Sequence, residues 1–496
     1  MMKILPGNMK KIVLFWGAAT LLTACTSQLE TPIENIDDSI IVEEQQAPVF
    51  YASIGEEANT KVYLDEDYKV LWTEDDRISV FNENTYNQEY RFDGNTGDNA
   101  GTFSIVPDGK VKTSNPLDYA YAIYPYSSGT SISNTGVLTV NFPAAQTYTA
   151  TTFGLGANTM VAVTDDSNFQ FKNACGYLML KLYGTSVGTT IKTISIKGNN
   201  HEKIAGEATI SMSLGGTPAV SMTGSATEEI TLTCTDAVTI GEASNDYTQF
   251  WFALPPVTFT KGFTITVTDE DGRIFRQSTS SSLEIVRSYA KKMAPLPVTL
   301  ISVPIAVPLG LSVKWASFNI GASSPEGFGY YYAWGEISRQ FDYSWASYKW
   351  CNGTNTSLTK YNSVDMGYGT IDNKTQLDPD DDVASARLGD GWRMPTRAEL
   401  EELVSDCTWT WMTLGGHNVY KVTGPNNNYI FLPCPGWYRE NSLKDGDDYG
   451  TYWSSTRNVN GNSAQWAWAI TISQWGHDPS GSHRRSDGCS VRPVKE

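Results

Sequence analysis

The chain has 496 residues, which is too long for one ordinary domain. Its 54 acidic residues outnumber 36 lysines and arginines, and the formal net charge of −18 argues against nucleic acid or anionic lipid as a partner. Aromatic residues reach 12% and charged residues only 18%, which with 42 glycines favours a β-rich, turn-rich exported protein. The four histidines and seven cysteines show no CxxC or HxxxH spacing, so we expect no zinc site.

The N-terminal segment has the parts of a secretory signal. Lys10 and Lys11 precede an apolar run over residues 12–24, and small residues lie directly before Cys25. The sequence LTAC at residues 22–25 resembles the lipobox of bacterial lipoproteins, which implies that Cys25 is diacylated and becomes the mature N-terminus. An ordinary signal peptide with a chance cysteine is the alternative. We therefore predict a signal peptide over residues 1–24 and a surface-exposed lipoprotein, held in the cell outer membrane by the lipid on Cys25.

The segment after Cys25 is acidic. Between Cys25 and Thr60 there are eight acidic residues and no lysine or arginine. Low hydrophobicity and like charge predict a solvated tether over residues 25–46. Such a tether would hold the folded part of the chain away from an anionic membrane.

Residues 47–300 show the signals of successive strands. Runs such as residues 137–142, 177–182 and 263–268 are rich in β-branched or aromatic residues and bounded by Gly, Pro, Asn or Asp. A sustained helical period is nearly absent. A length of about 250 residues fits two consecutive β-sandwiches better than one, and we place them at residues 47–165 and 166–300.

One later segment is long enough to span a membrane but is not suited to form a transmembrane helix. Residues 294–313 carry no charge but contain four prolines, which would repeatedly break a transmembrane helix. We interpret the segment as the last strand of the second sandwich followed by a Pro-rich linker over residues 301–310.

The first half contains five short motifs, which are in chain order WTEDDRISVF (72–81), AIYP (122–125), FPAAQ (142–146), FKNACGYL (171–178) and FALPP (252–256). In sequence and order they resemble motifs of the fimbrillin-like lipoproteins of Bacteroides-type bacteria. The resemblance implies two transthyretin-like sandwiches and a role as anchor, shaft or tip of a surface pilus. Shaft subunits of the family assemble by strand exchange after cleavage at a basic residue near the mature N-terminus. This chain has no arginine before Arg77, and its first basic residue past the anchor is Lys61, which favours a tip, an accessory subunit or a free lipoprotein.

The residues after 310 have a different composition, with 12 of the 15 tryptophans. Thr396 and Glu399 form a capping-box pattern, and Leu400, Leu403 and Val404 continue it as an apolar stripe, which predicts a helix from residue 397. The motifs LSVKWAS (311–317), YAWGE (332–336), WRMPT (392–396), YWSST (452–456) and SVRPV (490–494) resemble the Fibrobacter succinogenes major paralogous domain. That resemblance implies a C-type-lectin-like domain over residues 311–496. The expected fold class is therefore mainly β, with two transthyretin-like β-sandwiches followed by an α+β C-type-lectin-like domain.

In that fold the ligand surface lies between Trp453 and the final strand. Indole rings stack on the apolar face of a sugar, and amide, imidazole and guanidinium groups hydrogen-bond its hydroxyls. The predicted ligand-binding residues are Arg457, Asn458, Asn460, Asn462, Gln465, Trp466, Trp468, Trp475, His477, His483 and Arg484. For Trp466 and Trp468 the interpretation as core residues of a strand is favoured over ligand contact. Trp475 and His477 lie in a Gly/Ser/Pro-bounded loop and are the better candidates for exposed contacts.

Calcium is retained as an alternative at an acidic run. Asp378, Asp380, Asp381 and Asp382 supply the hard oxygen ligands that calcium takes, although a solvated acidic turn is the favoured interpretation. No other cofactor is expected.

We do not expect an enzyme. Formylglycine-generating enzymes, which share the C-type-lectin-like fold, use a cysteine pair, and the cysteines of this domain do not align onto one. In an exported domain, the four residues Cys351, Cys407, Cys434 and Cys489 are expected to form structural disulfides, with three pairings open.

Together these features predict a lipid-anchored adhesin, as a pilus tip or accessory subunit, whose partners are a glycan or glycoprotein, other pilus subunits and the outer membrane, but not nucleic acid. Two alternatives stay open: a structural fimbrial subunit or surface spacer without a specific ligand, and a receptor for proteins whose late loop is diversified by retroelements. The second alternative rests on a positional resemblance to such lectin-like proteins.

Overall fold

The computed structural model describes residues 49–55, 71–82, 86–109, 117–363, 369–459 and 464–496. The predicted signal peptide, the tether and the lipidation site Cys25 lie outside these residues, as do Asn460 and Asn462. The described residues are mainly β, as the sequence predicted, with two short helices. Neither helix combines the length and apolar character needed to cross a bilayer.

The described residues between 49 and 300 form twenty-one strands. They are β1 (Phe50–Ile54), β2 (Arg77–Phe81), β3 (Gln88–Phe92), β4 (Ala100–Ile105), β5 (Ala120–Tyr124), β6 (Ser131–Ile132), β7 (Leu138–Phe142), β8 (Ala145–Thr147), β9 (Met160–Thr164), β10 (Asn168–Asn173), β11 (Gly176–Gly184), β12 (Thr190–Gly198), β13 (Gly206–Ser211), β14 (Ala219–Met222), β15 (Glu229–Thr239), β16 (Thr248–Leu254), β17 (Val257–Phe259), β18 (Phe263–Thr268), β19 (Ile274–Ser278), β20 (Leu283–Ile285) and β21 (Ala290–Val298).

The first strands close a seven-stranded barrel in the order β1-β10-β9-β5-β2-β3-β4. Strand β1 pairs on both sides, parallel with β10 and antiparallel with β4. Inside the barrel, the buried indole of Trp72 makes edge contacts with the rings of Phe103, Tyr124 and Phe171. The carboxyl group of Asp76 is buried beside this aromatic core and accepts hydrogen bonds from the Tyr124 hydroxyl at 3.0 Å and the Thr73 amide at 2.7 Å.

Four further sheets follow, and two of them combine strands from both sides of the predicted boundary at residues 165 and 166. Their orders are β16-β11-β21, β19-β18-β12-β15-β8, β14-β13-β7-β6 and β17-β20. Strand β7 pairs antiparallel with β13, and β8 pairs parallel with β15. The boundary of the two predicted sandwiches therefore does not coincide with a division between sheets.

Side-chain alternation along β11 divides its residues between two apolar cores. Leu178, Leu180 and Leu182 pack into a core with strand β12, whereas Tyr177 and Met179 pack into a second core with the outer face of the barrel. Strand β9 is divided in the same way, because Val161 and Val163 belong to the second core while Met160 and Ala162 face the barrel interior. Successive cores therefore share their walls.

The remaining residues form short sheets and both helices. The elements are β22 (Ala306–Pro308), β23 (Lys314–Ala316), α1 (Val383–Leu388), β24 (Trp392–Arg393), α2 (Arg397–Asp406), β25 (Thr408–Leu414), β26 (His417–Thr423), β27 (Tyr429–Pro433), β28 (Trp437–Arg439), β29 (Ser442–Lys444), β30 (Tyr449–Arg457), β31 (Trp466–Ser473), β32 (Gly476–Asp478), β33 (Ser482–Arg484) and β34 (Val494–Lys495).

These strands form sheets in the orders β22-β23-β34-β24, β25-β26-β27, β28-β29 and β30-β31-β32, with β33 also paired to β31. Helix α2 confirms the predicted capping box, because the Thr396 hydroxyl accepts from the Glu399 amide and the Glu399 carboxylate accepts from the Thr396 amide. Residues 301–310, predicted as a linker, are packed: β22 pairs with β23, and Leu309 is fully buried.

Candidate functional site

Strand β31 organises the region in which the sequence predicted ligand contacts. It pairs with β30 on one side, and on the other with β32 and β33 along different parts of its length. Those predicted residues that the structure describes therefore lie at both ends of one sheet rather than around a single loop.

The two predicted residues at the end of β30 face inward. Arg457 is 1% exposed, and its Nε donates to the Lys374 carbonyl at 3.3 Å. Asn458 is also buried, and its amide N–H donates to the Trp466 carbonyl. This differs from the predicted ligand contacts, because a register irregularity between Trp453 and Arg457 redirects the end of the strand.

Trp468 belongs to the core, as the favoured interpretation held. Its ring is buried, and the Arg397 guanidinium of helix α2 lies 3.7 Å from the ring centroid. Trp466 is half-buried and lies opposite Arg484, which is exposed. Gln465 is half-buried, and its carbonyl accepts from the Arg485 amide.

His483 is part of an internal polar contact. Its Nδ1 lies 3.5 Å from Oδ2 of the buried Asp487, and its ring packs edge-on against Trp437. Burial alone would raise the pKa of Asp487, but hydrogen bonds and positive charge from His483 and Arg439 hold that pKa below its ordinary value. This arrangement turns the imidazole of His483 toward the interior of the domain.

Trp475 stands in the short turn between β31 and β32, and 82% of it is exposed. Its amide N–H donates to the Ser473 hydroxyl, which fixes the turn. Two residues later, His477 is half-buried and stacks on Trp409 with 4.3 Å between ring centroids and an interplanar angle of 10°. Burial lowers the pKa of His477, so its imidazole is neutral at pH 7.

Sequence reasoning missed the other members of this aromatic group. Tyr420 packs edge-on against Trp409, Trp411 and His477, and its hydroxyl donates to the Ser473 carbonyl at 2.9 Å. We call Trp409, Trp411, Tyr420 and His477 the aromatic cluster. The alternating sequence TWTW at residues 408–411 was the available signal, because it places both tryptophans on one face of β25.

The carboxylates of the acidic run at residues 378–382 mostly accept ion pairs and hydrogen bonds from other groups of the protein. Asp378 pairs with Lys360 and Lys374, and Asp381 pairs with Lys360 and accepts from the Tyr361 hydroxyl. Asp382 caps helix α1 and also accepts from the Met394 amide, while Asp380 is exposed. Over the described ranges, no three His, Cys, Asp or Glu side chains are placed to hold a metal ion. This geometry differs from the calcium alternative, because lysines and backbone amides already take the carboxylate oxygens. It also differs in part from the favoured solvated turn, because Asp381 and Asp382 are buried.

The cysteines differ from the expected disulfides. All six cysteines of the described residues are free thiols, including Cys351, Cys407, Cys434 and Cys489. They contribute to packing instead: Cys489 and Cys434 lie in different apolar clusters, and the Cys351 thiol donates to the Trp345 carbonyl. Burial raises the pKa of Cys434 to about 12, so it is a neutral thiol at pH 7.

Comparison with known proteins gives matches among solved structures alone, since neither a protein-family model nor a curated protein matches the chain. A proposed cell adhesion protein from Bacteroides uniformis is 17% identical with a TM-score of 0.32, over 51% of this chain and 93% of its own. A similar protein from Bacteroides ovatus is 15% identical with a TM-score of 0.30, over 48% and 88%. A fimbrial protein from Bacteroides ovatus is 11% identical with a TM-score of 0.23, over 90% and 99%. These TM-scores are too low to establish a common topology.

Proposed function

We propose that this chain is a cell-surface adhesin, anchored in the outer membrane through Cys25, whose C-terminal residues 311–496 bind a glycan or glycoprotein. The work of the site is binding, not turnover. The observation that carries the proposal is the exposed indole of Trp475 next to the aromatic cluster.

The physical basis is the chemistry of aromatic rings toward sugars. An indole presents a broad flat surface that packs on the C–H face of a pyranose, and water leaves both surfaces when they meet. The contacts of Trp409 and Tyr420 with His477 hold the base of the turn in place, so Trp475 is presented from a fixed support. Preorganisation of this kind lowers the entropy lost on binding.

The first test is binding of the full chain to an array of glycans and mucin-type glycoproteins, with wild type and Trp475→Ala compared. We expect wild type to bind a narrow set of glycans and Trp475→Ala to weaken binding about tenfold or more, because the loss of a stacked aromatic ring is worth more than 1 kcal/mol at such contacts. Tyr289→Ala is the matched control, since Tyr289 is 61% exposed, directly precedes strand β21 and is remote in sequence from Trp475. Equal binding by wild type and Trp475→Ala would remove Trp475 from the site.

A place at the tip of a pilus, or as an accessory subunit, is part of the same proposal. It is supported by the lack of any arginine before Arg77 and of any basic residue between Cys25 and Lys61, which leaves the stretch near the expected mature N-terminus without a basic residue for cleavage. Co-purification with sheared filaments is the expected result, whereas complete retention on the outer membrane after shearing would leave an anchored receptor without an assembly role.

A further inference from the structure

A cleft of about 270 Å³ lies where strand β19 and the end of β21 meet helix α1 and the loop at residues 330–339. Three arginines line it, one from each of three segments: Arg276 from β19, Arg339 from the loop and Arg387 from α1. Apolar side chains form much of the remaining wall, namely Leu296, Pro297, Ile301 and Ile337. We call this site the arginine cleft.

None of the three arginines forms an ion pair with a carboxylate of the described residues. Arg276 donates to the carbonyls of Ser385 and Ala386 at 3.2 and 3.0 Å. Arg387 donates from Nε to the Ile337 carbonyl at 2.8 Å, and its two terminal nitrogens make longer contacts of 3.4 Å with the Arg276 carbonyl and the Ser338 hydroxyl. Three guanidinium groups in one cleft, none within ion-pair distance of a described carboxylate, stand out in a chain whose net charge is −18.

Two of the three positive charges, those of Arg276 and Arg387, also lack full hydration, whereas Arg339 is exposed. Burial lowers the pKa of Arg276, an effect that the charge of Asp380 opposes, and burial likewise lowers the pKa of Arg387. An anion that enters the cleft would replace the lost water with charge-assisted hydrogen bonds.

The guanidinium groups are held in position. Arg339 lies over the ring of Tyr330 at 4.2 Å from its centroid, and Gly321 packs so closely against that ring that a Cβ there would come within 2.3 Å of it. Arg276 packs against Gly389, where a Cβ would come within 2.9 Å of Nε. Fixed planar forks of this kind favour a planar carboxylate, which accepts two parallel N–H groups.

The volume restricts the ligand further. Typical sites for small molecules enclose roughly 300–1,000 Å³, so this cleft fits a single small ring rather than a folded peptide segment. The apolar wall matches the C–H face of a sugar ring, while the arginines match a carboxylate on its edge. We infer that the arginine cleft binds a carboxylate-bearing sugar residue, at a site separate from Trp475 and the aromatic cluster.

The test is titration of the full chain with N-acetylneuraminate and glucuronate, each compared with its uncharged methyl ester, by isothermal calorimetry. Wild type is expected to bind at least one acid and not its ester. Arg339→Gln is expected to weaken binding about tenfold or more, because it removes hydrogen bonds to a charged group. Arg339 is exposed, so this variant keeps the folded structure, which its thermal unfolding checks.

Two controls isolate the cleft. Arg91→Gln removes a half-exposed arginine of the barrel and should leave the affinity unchanged, and so should Trp475→Ala, which separates this inference from the proposed glycan site. Equal affinity of wild type and Arg339→Gln, or no binding of either acid, would overturn the inference. Binding of an oligoglutamate peptide in place of the sugars would also overturn it, because the cleft would then be a site for acidic protein segments.

Discussion

Two buried arginines hold the C-terminal part of the chain together through backbone carbonyls. Arg492 donates to the carbonyls of Ala316 and Phe431 and to the Asn319 side chain, and burial lowers its pKa to about 10. Arg485 donates to the carbonyls of Tyr361, Ala464 and Lys360. Arg485 therefore satisfies the carbonyls of loop residues, whereas Arg492 joins carbonyls of strands β23 and β27 through one guanidinium. Both contacts provide hydrogen-bond donors for backbone carbonyls in the interior.

At the same scale, Asp76 makes stability depend on pH. Burial raises the pKa of Asp76 from its ordinary 3.8 to about 6, against the lowering effect of its hydrogen bonds from Thr73 and Tyr124. Because the folded chain binds this proton more tightly than the unfolded chain, its contribution to stability is complete below pH 3.8 and is lost as the pH rises through about 6. The loss is on the order of 3 kcal/mol.

We therefore expect the unfolding free energy of wild type to fall between pH 4 and pH 7 relative to that of Asp76→Asn, as measured by urea titration at each pH. Asp236→Asn serves as the control, because it removes one exposed carboxylate and so tests the effect of net charge alone. Identical pH profiles for wild type and Asp76→Asn would show that Asp76 does not titrate in this window.

The sequence predicts side-chain chemistry better than it predicts burial. It correctly favoured exposure for Trp475 and core packing for Trp468, because turn composition and strand alternation are local signals. It assigned Arg457 and Asn458 to the ligand surface, although both are buried. The reason is that burial of a polar side chain depends on partners distant in sequence, such as the Lys374 carbonyl that accepts from Arg457.

Among the elements, the two helices show which local sequence signals are strong enough to predict a helix. Helix α2 has ten residues, a capping box and an apolar stripe, all readable in the sequence. Helix α1 has six residues and begins after an acidic run that was interpreted as a solvated turn. The Asp382 side chain that caps it is also one of the four carboxylates considered for calcium. The sequence allows both a calcium ligand and a helix cap at this position, and the amides of Ala384 and Ser385, which donate to the carboxylate, identify the cap.

Removal of the cap of α2 should be measurable. Thr396→Ala is expected to lower the unfolding free energy by about 1 kcal/mol, because the Glu399 amide loses its side-chain acceptor. Chemical denaturation of the full chain measures the change. Ser405→Ala, an exposed position near the end of the same helix, should change the value by less than about 0.5 kcal/mol, and a comparable loss in both variants would contradict a specific role of the cap.

For the molecule as a whole, the shared walls couple the cores of residues 49–300. Met179 and Leu180 are neighbours on β11 but point into different cores. The sequence predicts strands at residues 137–142, 177–182 and 263–268 but could not show this coupling, because the pairings of β7 with β13 and of β8 with β15 join residues more than 60 apart.

Met179→Ala and Leu180→Ala test the coupling. Each substitution is expected to lower the unfolding free energy by about 2–5 kcal/mol. The cavity left by Met179→Ala is lined by β9 and the cavity left by Leu180→Ala by β12. If the cores are coupled, each variant should nevertheless reduce hydrogen-exchange protection in both strands. Val187→Ala, at an 86% exposed position, should leave both strands unchanged. If Met179→Ala loosened β9 alone and Leu180→Ala loosened β12 alone, the cores would be independent.

The same shared walls have a mechanical consequence. A hinge requires two bodies that can slide or tilt against each other, whereas here β9 and β11 are each the wall of two adjoining cores. In the adhesin role proposed above, tension on residues 49–300 would therefore load the hydrogen-bonded ladders of these strands, and yielding would begin with rupture of a ladder rather than with bending between bodies. Such a scaffold would extend little under tension until a ladder ruptures.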